Sequence, residues 1–259
     1  MTSSRSELQS RRLEAVRAWT AFMEHGERAA RVVRPEILGS WRRSGTAVPL
    51  DVAEAPMADE SDTAAVWNGS PLQVAVSRIE HELRRTAEDG DLVLAITDER
   101  TRILWTYGGR VMRRKAETVN FVPGGRWDET SVGTNALDLA GRTGQASMVF
   151  SAEHFAPIVH NWVCWAAPLH DPVTGRQLGV IDLSTTWDRT HPIGLATARV
   201  MARLIETAMP VSASMPRSRR RGSCRRSRAV SADAAAMDGC GLRSSVASGT
   251  RIHCRRSRR

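Results

Sequence analysis

The chain has 259 residues, 41% of them apolar, and a formal net charge of +9. That is enough chain to core one or two domains, and it contains no uninterrupted apolar run long enough to span a bilayer and no charged-then-apolar leader at its start. Residues 211–259 hold 13 Arg and only two acidic residues, so residues 1–210 are mildly acidic and the nucleic-acid-like balance belongs to the tail alone.

Of the 37 basic residues only Lys115 is lysine, a bias that fits the codons of a GC-rich genome better than a physical adaptation. Cys164 is the single cysteine outside the tail, the others being Cys224, Cys240 and Cys254. No internal disulfide can form before the tail, and a reducing cytoplasm is the expected location.

In chain order, Ser6 to Glu27 places Leu8, Leu13, Val16, Trp19, Phe22 and Met23 at helical spacing. A second helix is expected to open at Pro35, where a missing N–H costs nothing. Residues 1–45 therefore read as a helical lead-in. Its Arg42-Arg43 pair reads either as a solvated helix end or as a nucleic-acid contact. Residues 46–69, with Pro49, Pro56 and little periodicity, read as a linker.

Ser70, Pro71 and Gln73 mark a helix start with a capping box, Leu72, Val76, Ile79 and Leu83 give it one apolar face, and Gly90 ends it. Leu92–Thr97 and Arg102–Tyr107 flank Asp98–Thr101 as a hairpin. Val111–Thr118 is a polar helix, and Asn120–Arg126 a loop around Pro123-Gly124-Gly125. Trp127 to Ser184 opens on an acidic turn, passes through Gly133-Thr134-Asn135 into a short apolar helix, and ends in two strands. Those strands, Val163–Leu169 and Leu178–Leu183, are joined by Asp171-Pro172-Val173-Thr174-Gly175. A last helix, capped by Thr190, turns Leu195, Ala198, Met201, Ala202 and Ile205 inward.

Helix, hairpin, irregular middle, hairpin, helix is an α+β pattern on an antiparallel sheet. The first and last of these helices are expected on one sheet face and the middle segments on the other. The apolar faces of these two helices also suggest a homodimer.

Five motifs in this order resemble the GAF sensor domain of bacterial transcription regulators of the acetoin-catabolism type and their actinobacterial relatives. They are the W-x-E of Trp127 and Glu129, the GTNAL of Gly133–Leu137, the EHF of Glu153–Phe155, the CWAAPL of Cys164–Leu169 and the GVIDLS of Gly179–Ser184. The RPEILGSWRRS of Arg34–Ser44 resembles the lead-in of the same family. Two positions depart from the family pattern, Asp138 and Ala156-Pro157. The resemblance implies a GAF-like α+β fold over residues 70–209, an antiparallel sheet with helices on both faces and a ligand cavity between sheet and covering loops.

Three kinds of chemistry compete. His154, His160, Cys164 and His170 are potential metal ligands, but their spacing shares no single loop or helix face. A thiol enzyme of the methionine-sulfoxide type needs a resolving cysteine that residues 1–210 lack, and no nucleophile triad, P-loop or dinucleotide fingerprint is present. No catalytic residue, metal or cofactor is expected. Ligand sensing fits best, with Trp127, Glu129, Asn135, Glu153, His154 and Trp162 as candidate contacts for a small molecule. Each has an alternative structural role: the tryptophans as core, Asn135 as a helix cap, Glu129 as a partner of nearby amides.

Residues 210–259 lack Phe, Trp and Tyr and are rich in Arg and Ser, so they are expected to be a disordered tail. The resemblance implies an ATPase or DNA-binding continuation, and residues 210–259 are not expected to supply one. The tail reads as a nucleic-acid-binding arm, a genuine variant or, best matching its composition, an out-of-frame product of GC-rich DNA.

Overall fold

The computed structural model describes residues 4–26 and 33–210. The expected disordered tail lies outside the described residues, as does any nucleic-acid contact through it.

The first helix, α1 (Arg5–His25), starts on a closed capping box: the Ser4 hydroxyl accepts from the Glu7 amide, and the Glu7 carboxylate accepts from the Ser4 amide at 2.7 Å. Next comes α2 (Pro35–Ala47), with proline in its first turn as expected. The stretch read as linker contains a short helix, α3 (Glu60–Asn68), started by the Asp59 carboxylate accepting from the Asp62 amide. Its inward face is too narrow to register as periodicity, with Thr63 its one fully buried residue.

The helix expected from Ser70 to Gly90 is two, α4 (Pro71–Arg78) and α5 (Glu80–Asp89), separated at Ile79 where φ is −120° and ψ 21°. The break lets α4 lie beside the last helix while α5 follows the sheet surface. Ser70 caps through the Leu72 amide rather than through a box closed by Gln73.

The hairpin β1 (Val93–Thr97) and β2 (Ile103–Gly108) forms as read, its turn held by the Asp98 carboxylate accepting from the Arg100 and Arg102 amides. Helix α6 (Arg110–Glu117), the single turn α7 (Glu129–Val132) and α8 (Ala136–Thr143) follow. The strand β3 (Ser147–Phe150), in the part expected to be irregular, precedes the second hairpin of β4 (Trp162–His170) and β5 (Gln177–Thr186). The final helix is α9 (Gly194–Ala208), and Thr190 bonds the Trp187 carbonyl instead of capping it.

The five strands form one antiparallel sheet in the order β2-β1-β5-β4-β3. Side chains alternate between its faces. Leu94, Ile96, Val163, Trp165, Leu169, Ile181 and Leu183 meet α4, α5 and α9 on one face. Val93, Ala95, Cys164, Ala166 and Val180 meet α2, α6, α7 and α8 on the other. The fold is therefore the α+β arrangement expected, with α4 and α9 side by side. Their inward residues Leu72, Val76, Ala198, Ala202 and Ile205 are buried in this packing. Among the described residues no helix is long and apolar enough to cross a membrane.

Candidate functional site

The second face of the sheet carries a polar residue where the pattern demands an apolar one. Asp182 is the only acidic residue of β5 and is 1% exposed. Its neighbours across both flanking strands are alanines, Ala95 on β1 and Ala166 on β4. Two small side chains leave room above the carboxyl group. Oδ2 bonds the Ser184 hydroxyl, while Oδ1 is buried with no hydrogen-bond partner. Burial pushes the Asp182 pKa up to about 7, against the opposing pull of the Ser184 hydroxyl. Ser184 Oγ also lies 3.0 Å from Cys164 Sγ on β4. Burial first, and the charge of Asp182 second, push the Cys164 thiol well above its ordinary range.

Facing the sheet is the segment from Phe150 to Trp162, which folds as two short 3-10 turns at Ser151–Glu153 and Pro157–Val159. It brings in His154, which is 1% exposed. The His154 Nδ1–H donates to the Ser151 carbonyl at 2.8 Å, and Nε2 is buried without a partner. Desolvation lowers the His154 pKa to about 3. The ring is therefore neutral at physiological pH and turns a bare lone pair from Nε2 into its surroundings.

Both orphaned atoms belong to residues that line one cavity of about 10 Å³, which is room for one water-sized sphere. Phe121, Trp127 and Trp162 make an aromatic wall, with Phe121 edge-on to Trp127 at 5.0 Å and to Trp162 at 5.6 Å. Asn135, Ala136 and Leu137 from the start of α8, together with Val159 and Cys164, complete the lining.

Of the six residues picked from the sequence, Trp127, Asn135, His154 and Trp162 stand on this cavity and Glu129 and Glu153 do not. Asn135 is already committed. Its amide nitrogen donates to the carbonyls of Trp127 at 2.9 Å and Gly133 at 2.8 Å, and its oxygen caps α8 through the Asp138 amide at 3.0 Å. The cover's shape depends on these bonds.

Glu129 and Glu153 anchor the lead-in helix instead. The buried Glu129 carboxylate takes a bidentate pair from Arg43 (2.6 Å and 2.9 Å), a bond from the Ser40 hydroxyl and a 3.3 Å contact from Arg142. Arg43, read as a solvated helix end or as touching nucleic acid, stays about half exposed (48%) and also anchors α2 through Glu129. Asp138, a departure from the family pattern, supports the same corner by bonding the Glu129 amide and Arg142. Replacing Arg43 with methionine would leave a nearly buried carboxylate with poorer partners. The expected loss is about 1–3 kcal/mol, read as a lowered urea midpoint at unchanged slope.

Glu153 accepts from Arg34 at 2.8 Å and from the Phe150 amide at 2.7 Å, while Arg34 also donates to the Met148 carbonyl at 2.6 Å. The EHF and RPE motifs therefore meet at the free edge of β3.

The potential metal ligands are employed separately. His160 Nε2 lies 3.1 Å from the His154 carbonyl, and His170 Nδ1 lies 3.1 Å from Glu206. Among the described residues no three His, Cys, Asp or Glu side chains gather to hold a metal.

The sequence does not pick out Phe121, Ala136, Leu137, Val159, Cys164 or Asp182 as ligand contacts, and of these Asp182 is the ionisable one with an orphaned atom. The signal for Asp182 is present, one acid inside an apolar strand, but the D of GVIDLS is hidden within a motif.

Helix α1 closes over this region from outside. The Trp19 Nε1–H donates to the Phe155 carbonyl at 3.0 Å and its ring sits edge-on to His160 at 4.9 Å. Arg12 donates to Asn161 at 3.0 Å. The cover segment is thus held between the cavity and α1.

Comparison with known proteins adds the following. The family described as MimR, N-terminal domain, matches residues 12–207. An uncharacterized 47.3 kDa protein from the thcA 5′ region of Rhodococcus erythropolis is 34% identical over 71% of this chain and 45% of its own length. The propane 2-monooxygenase operon transcriptional activator MimR of Mycolicibacterium goodii is 31% identical over 68% of this chain and 30% of its own length. The acetoin dehydrogenase operon transcriptional activator AcoR of Bacillus subtilis is 29% identical over 71% of this chain and 31% of its own length. The chain thus spans less than half the length of these curated relatives. Among solved structures, the E. coli DhaR(N)–DhaL complex superposes with a TM-score of 0.63 at 24% identity, over 67% of this chain and 60% of the matched one. That likeness establishes the fold.

Proposed function

The chain belongs to the MimR N-terminal domain family, and on that premise we propose that it is the signal-sensing part of a bacterial transcription regulator, with its ligand site in the cavity beneath the Trp127–Trp162 cover. The observation that carries the reading is the pair of buried, unpartnered polar atoms, His154 Nε2 and Asp182 Oδ1, on residues facing one aromatic-walled cavity. A buried acceptor costs stability unless a donor reaches it, and a bound molecule carrying a donor would supply one. Relatives at the level of this family regulate operons for propane 2-monooxygenase and acetoin dehydrogenase, and both named compounds have three or four carbons. A neutral metabolite of that size suits a small cavity whose lining holds no cation.

The mechanism follows from volume. A guest of several heavy atoms is larger than a cavity of about 10 Å³, so binding has to push the cover outward, and the cover is what α1 rests on. Movement of the His154–Phe155 backbone changes the acceptors used by His160 and by Trp19. The lead-in helix is thereby tied to the ligand, and ligand affinity differs between its docked and released forms. Trp127, Trp162 and His154 are assigned to ligand contact, Asn135, Glu129 and Glu153 to shaping and anchoring the cover. The reading includes a cytoplasmic location and no catalytic step. The high pKa of Cys164 keeps it as the unreactive thiol.

A thermal-shift screen of neutral three- and four-carbon metabolites on the purified chain tests this. A ligand at about one hundred times its Kd stabilises by about 2.7 kcal/mol, which for a domain this size raises Tm by roughly 5–10 °C. The shift should vanish in His154→Leu. A broad screen with no shift, or shifts that persist in this variant, would remove the cavity from consideration.

A second reading rests on the solved neighbour, in which the N-terminal part of DhaR is in complex with the protein DhaL. A protein partner docking on the sensor would fit that observation. Co-purification with a partner unaffected by His154→Leu would favour it.

A further inference from the structure

A second recess shares no lining residue with the buried cavity. It lies where α1, the edge strand β3 and the start of α9 converge, and its volume is about 410 Å³, within the roughly 300–1,000 Å³ of small-molecule sites. Leu139, Met148, Trp165 and Leu195 give it apolar walls, and Arg11 and Arg34 line it beside them. The two arginines differ in their partners. Arg34 holds Glu153 through two nitrogens, at 3.3 Å and 2.8 Å, and Glu36 at 3.0 Å. The Arg11 guanidinium stacks over the buried Phe150 ring at 4.2 Å, a contact that uses none of its five N–H donors. Among the described residues Arg11 makes no hydrogen bond and no ion pair. Burial lowers its pKa, with the Glu153 charge opposing and the Arg34 charge adding. A partly desolvated cation costs stability unless an anion or water meets it, and a carboxylate can meet a guanidinium with two parallel hydrogen bonds.

We infer that this recess binds a small monocarboxylate with an apolar body, its carboxylate on Arg11 and its hydrocarbon against Leu139, Met148, Trp165 and Leu195. The head group is set by charge. One unpaired cation balances one negative charge, whereas the second charge of a phosphate monoester would meet Glu36, which lines the same recess. The body is set by the walls, which a ligand as short as acetate leaves uncovered. Arg11 belongs to α1 and Leu195 to α9, so a molecule touching both joins the first helix to the last. Leu8 is the one fully buried residue of α1, and a further contact therefore weighs on whether that helix stays docked.

Isothermal titration of the purified chain with hexanoate, hexanamide, 1-hexanol, acetate and hexyl phosphate tests the inference. Hexanoate is expected to bind at least tenfold more tightly than each of the others. Arg11→Met should lower hexanoate affinity at least tenfold and change 1-hexanol less than threefold, a cooperative urea transition showing that the variant folds. His154→Leu should leave hexanoate binding unchanged, which separates this site from the cavity proposed above. Hydrogen exchange of the wild type with and without hexanoate locates the contact independently of any variant. Slowing in α1, β3 and the start of α9 supports the assignment, and slowing confined to other elements overturns it. Hexanamide, 1-hexanol or hexyl phosphate equalling hexanoate, hexanoate binding that Arg11→Met leaves intact, or no binding by any member would each overturn it as well.

Discussion

Replacing Asp182 with asparagine is expected to flatten the alkaline side of the protein's stability profile. Asp182 is wholly buried, and its pKa is raised from an ordinary 3.8 to about 7 in the folded chain. The unfolded chain therefore releases this proton at lower pH than the folded chain does. Below the unfolded value both states hold the proton and the shift costs nothing. Between about pH 4 and pH 7 unfolding releases a proton, so stability falls as pH rises, and above 7 the loss is complete. A shift of about three units corresponds to up to about 4 kcal/mol. Asparagine cannot ionise, so the stability of Asp182→Asn relative to the wild type should climb by up to that amount from pH 4 to pH 8. In a domain of this size that is on the order of 10 °C in Tm. His154 works in the opposite sense. Its folded pKa of about 3 lies below the ordinary 6.5, so it destabilises the fold as pH drops below about 6.5, and it does so equally in both proteins. Parallel melting curves from pH 4 to pH 8 make the comparison. A constant offset between the two proteins would mean that Asp182 is not held protonated.

Gly133→Ala should be the most damaging single methyl in the cover. Gly133 has φ of +74° and ψ of −164°, a region only glycine occupies without strain. A Cβ at this position would lie 2.6 Å from the Phe155 Cβ. Backbone strain of about 1–3 kcal/mol and overpacking of about 1–3 kcal/mol give a loss of about 2–6 kcal/mol. Gly144 is the control. Its φ is +64° in the ordinary left-handed region at the end of α8, with nothing within 4 Å of an added methyl, and Gly144→Ala should cost about 1 kcal/mol. Urea midpoints for the two variants separate contact from backbone conformation. Equal losses would show that Phe155 yields.

That pair also explains why certain motifs occur together in the sequence. The glycine of GTNAL is required by the phenylalanine of EHF, and the asparagine of GTNAL ties down the tryptophan of W-x-E. Reading the motifs locates the cover but not the division of labour within it. Trp127, Asn135, His154 and Trp162 face the cavity, whereas Glu129 and Glu153 hold α2. A carboxylate's partner eighty or more residues away leaves no local trace, so an anchoring glutamate and a binding one look alike.

The elements legible in the sequence are those whose information is local. Both hairpins carry turn residues between apolar runs, and α2 and α4 carry proline in the first turn. The break at Ile79 is not legible, because the same apolar spacing continues through α4 and α5 and only packing against α9 and the sheet separates them. Strand β3 escapes because its four residues are too few to alternate and its ladder partner lies in β4. Asp182 escapes because its significance comes from Ala95 and Ala166, which only the strand register places beside it.

The Arg34–Glu153 pair has a consequence for assembly. Arg34 satisfies the Met148 carbonyl and Glu153 the Phe150 amide, so two side chains imitate the hydrogen bonds a sixth strand would make along this margin. At the opposite margin the Gly124–Gly125 loop bonds both backbone groups of Ile103. Each selvedge of the fabric is stitched at these points, and a neighbouring polypeptide that lengthened it there would first have to unpick them. A partner that docks through the outer surfaces of the helices disturbs none of these stitches, and its affinity then depends on side chains that can be tuned one residue at a time.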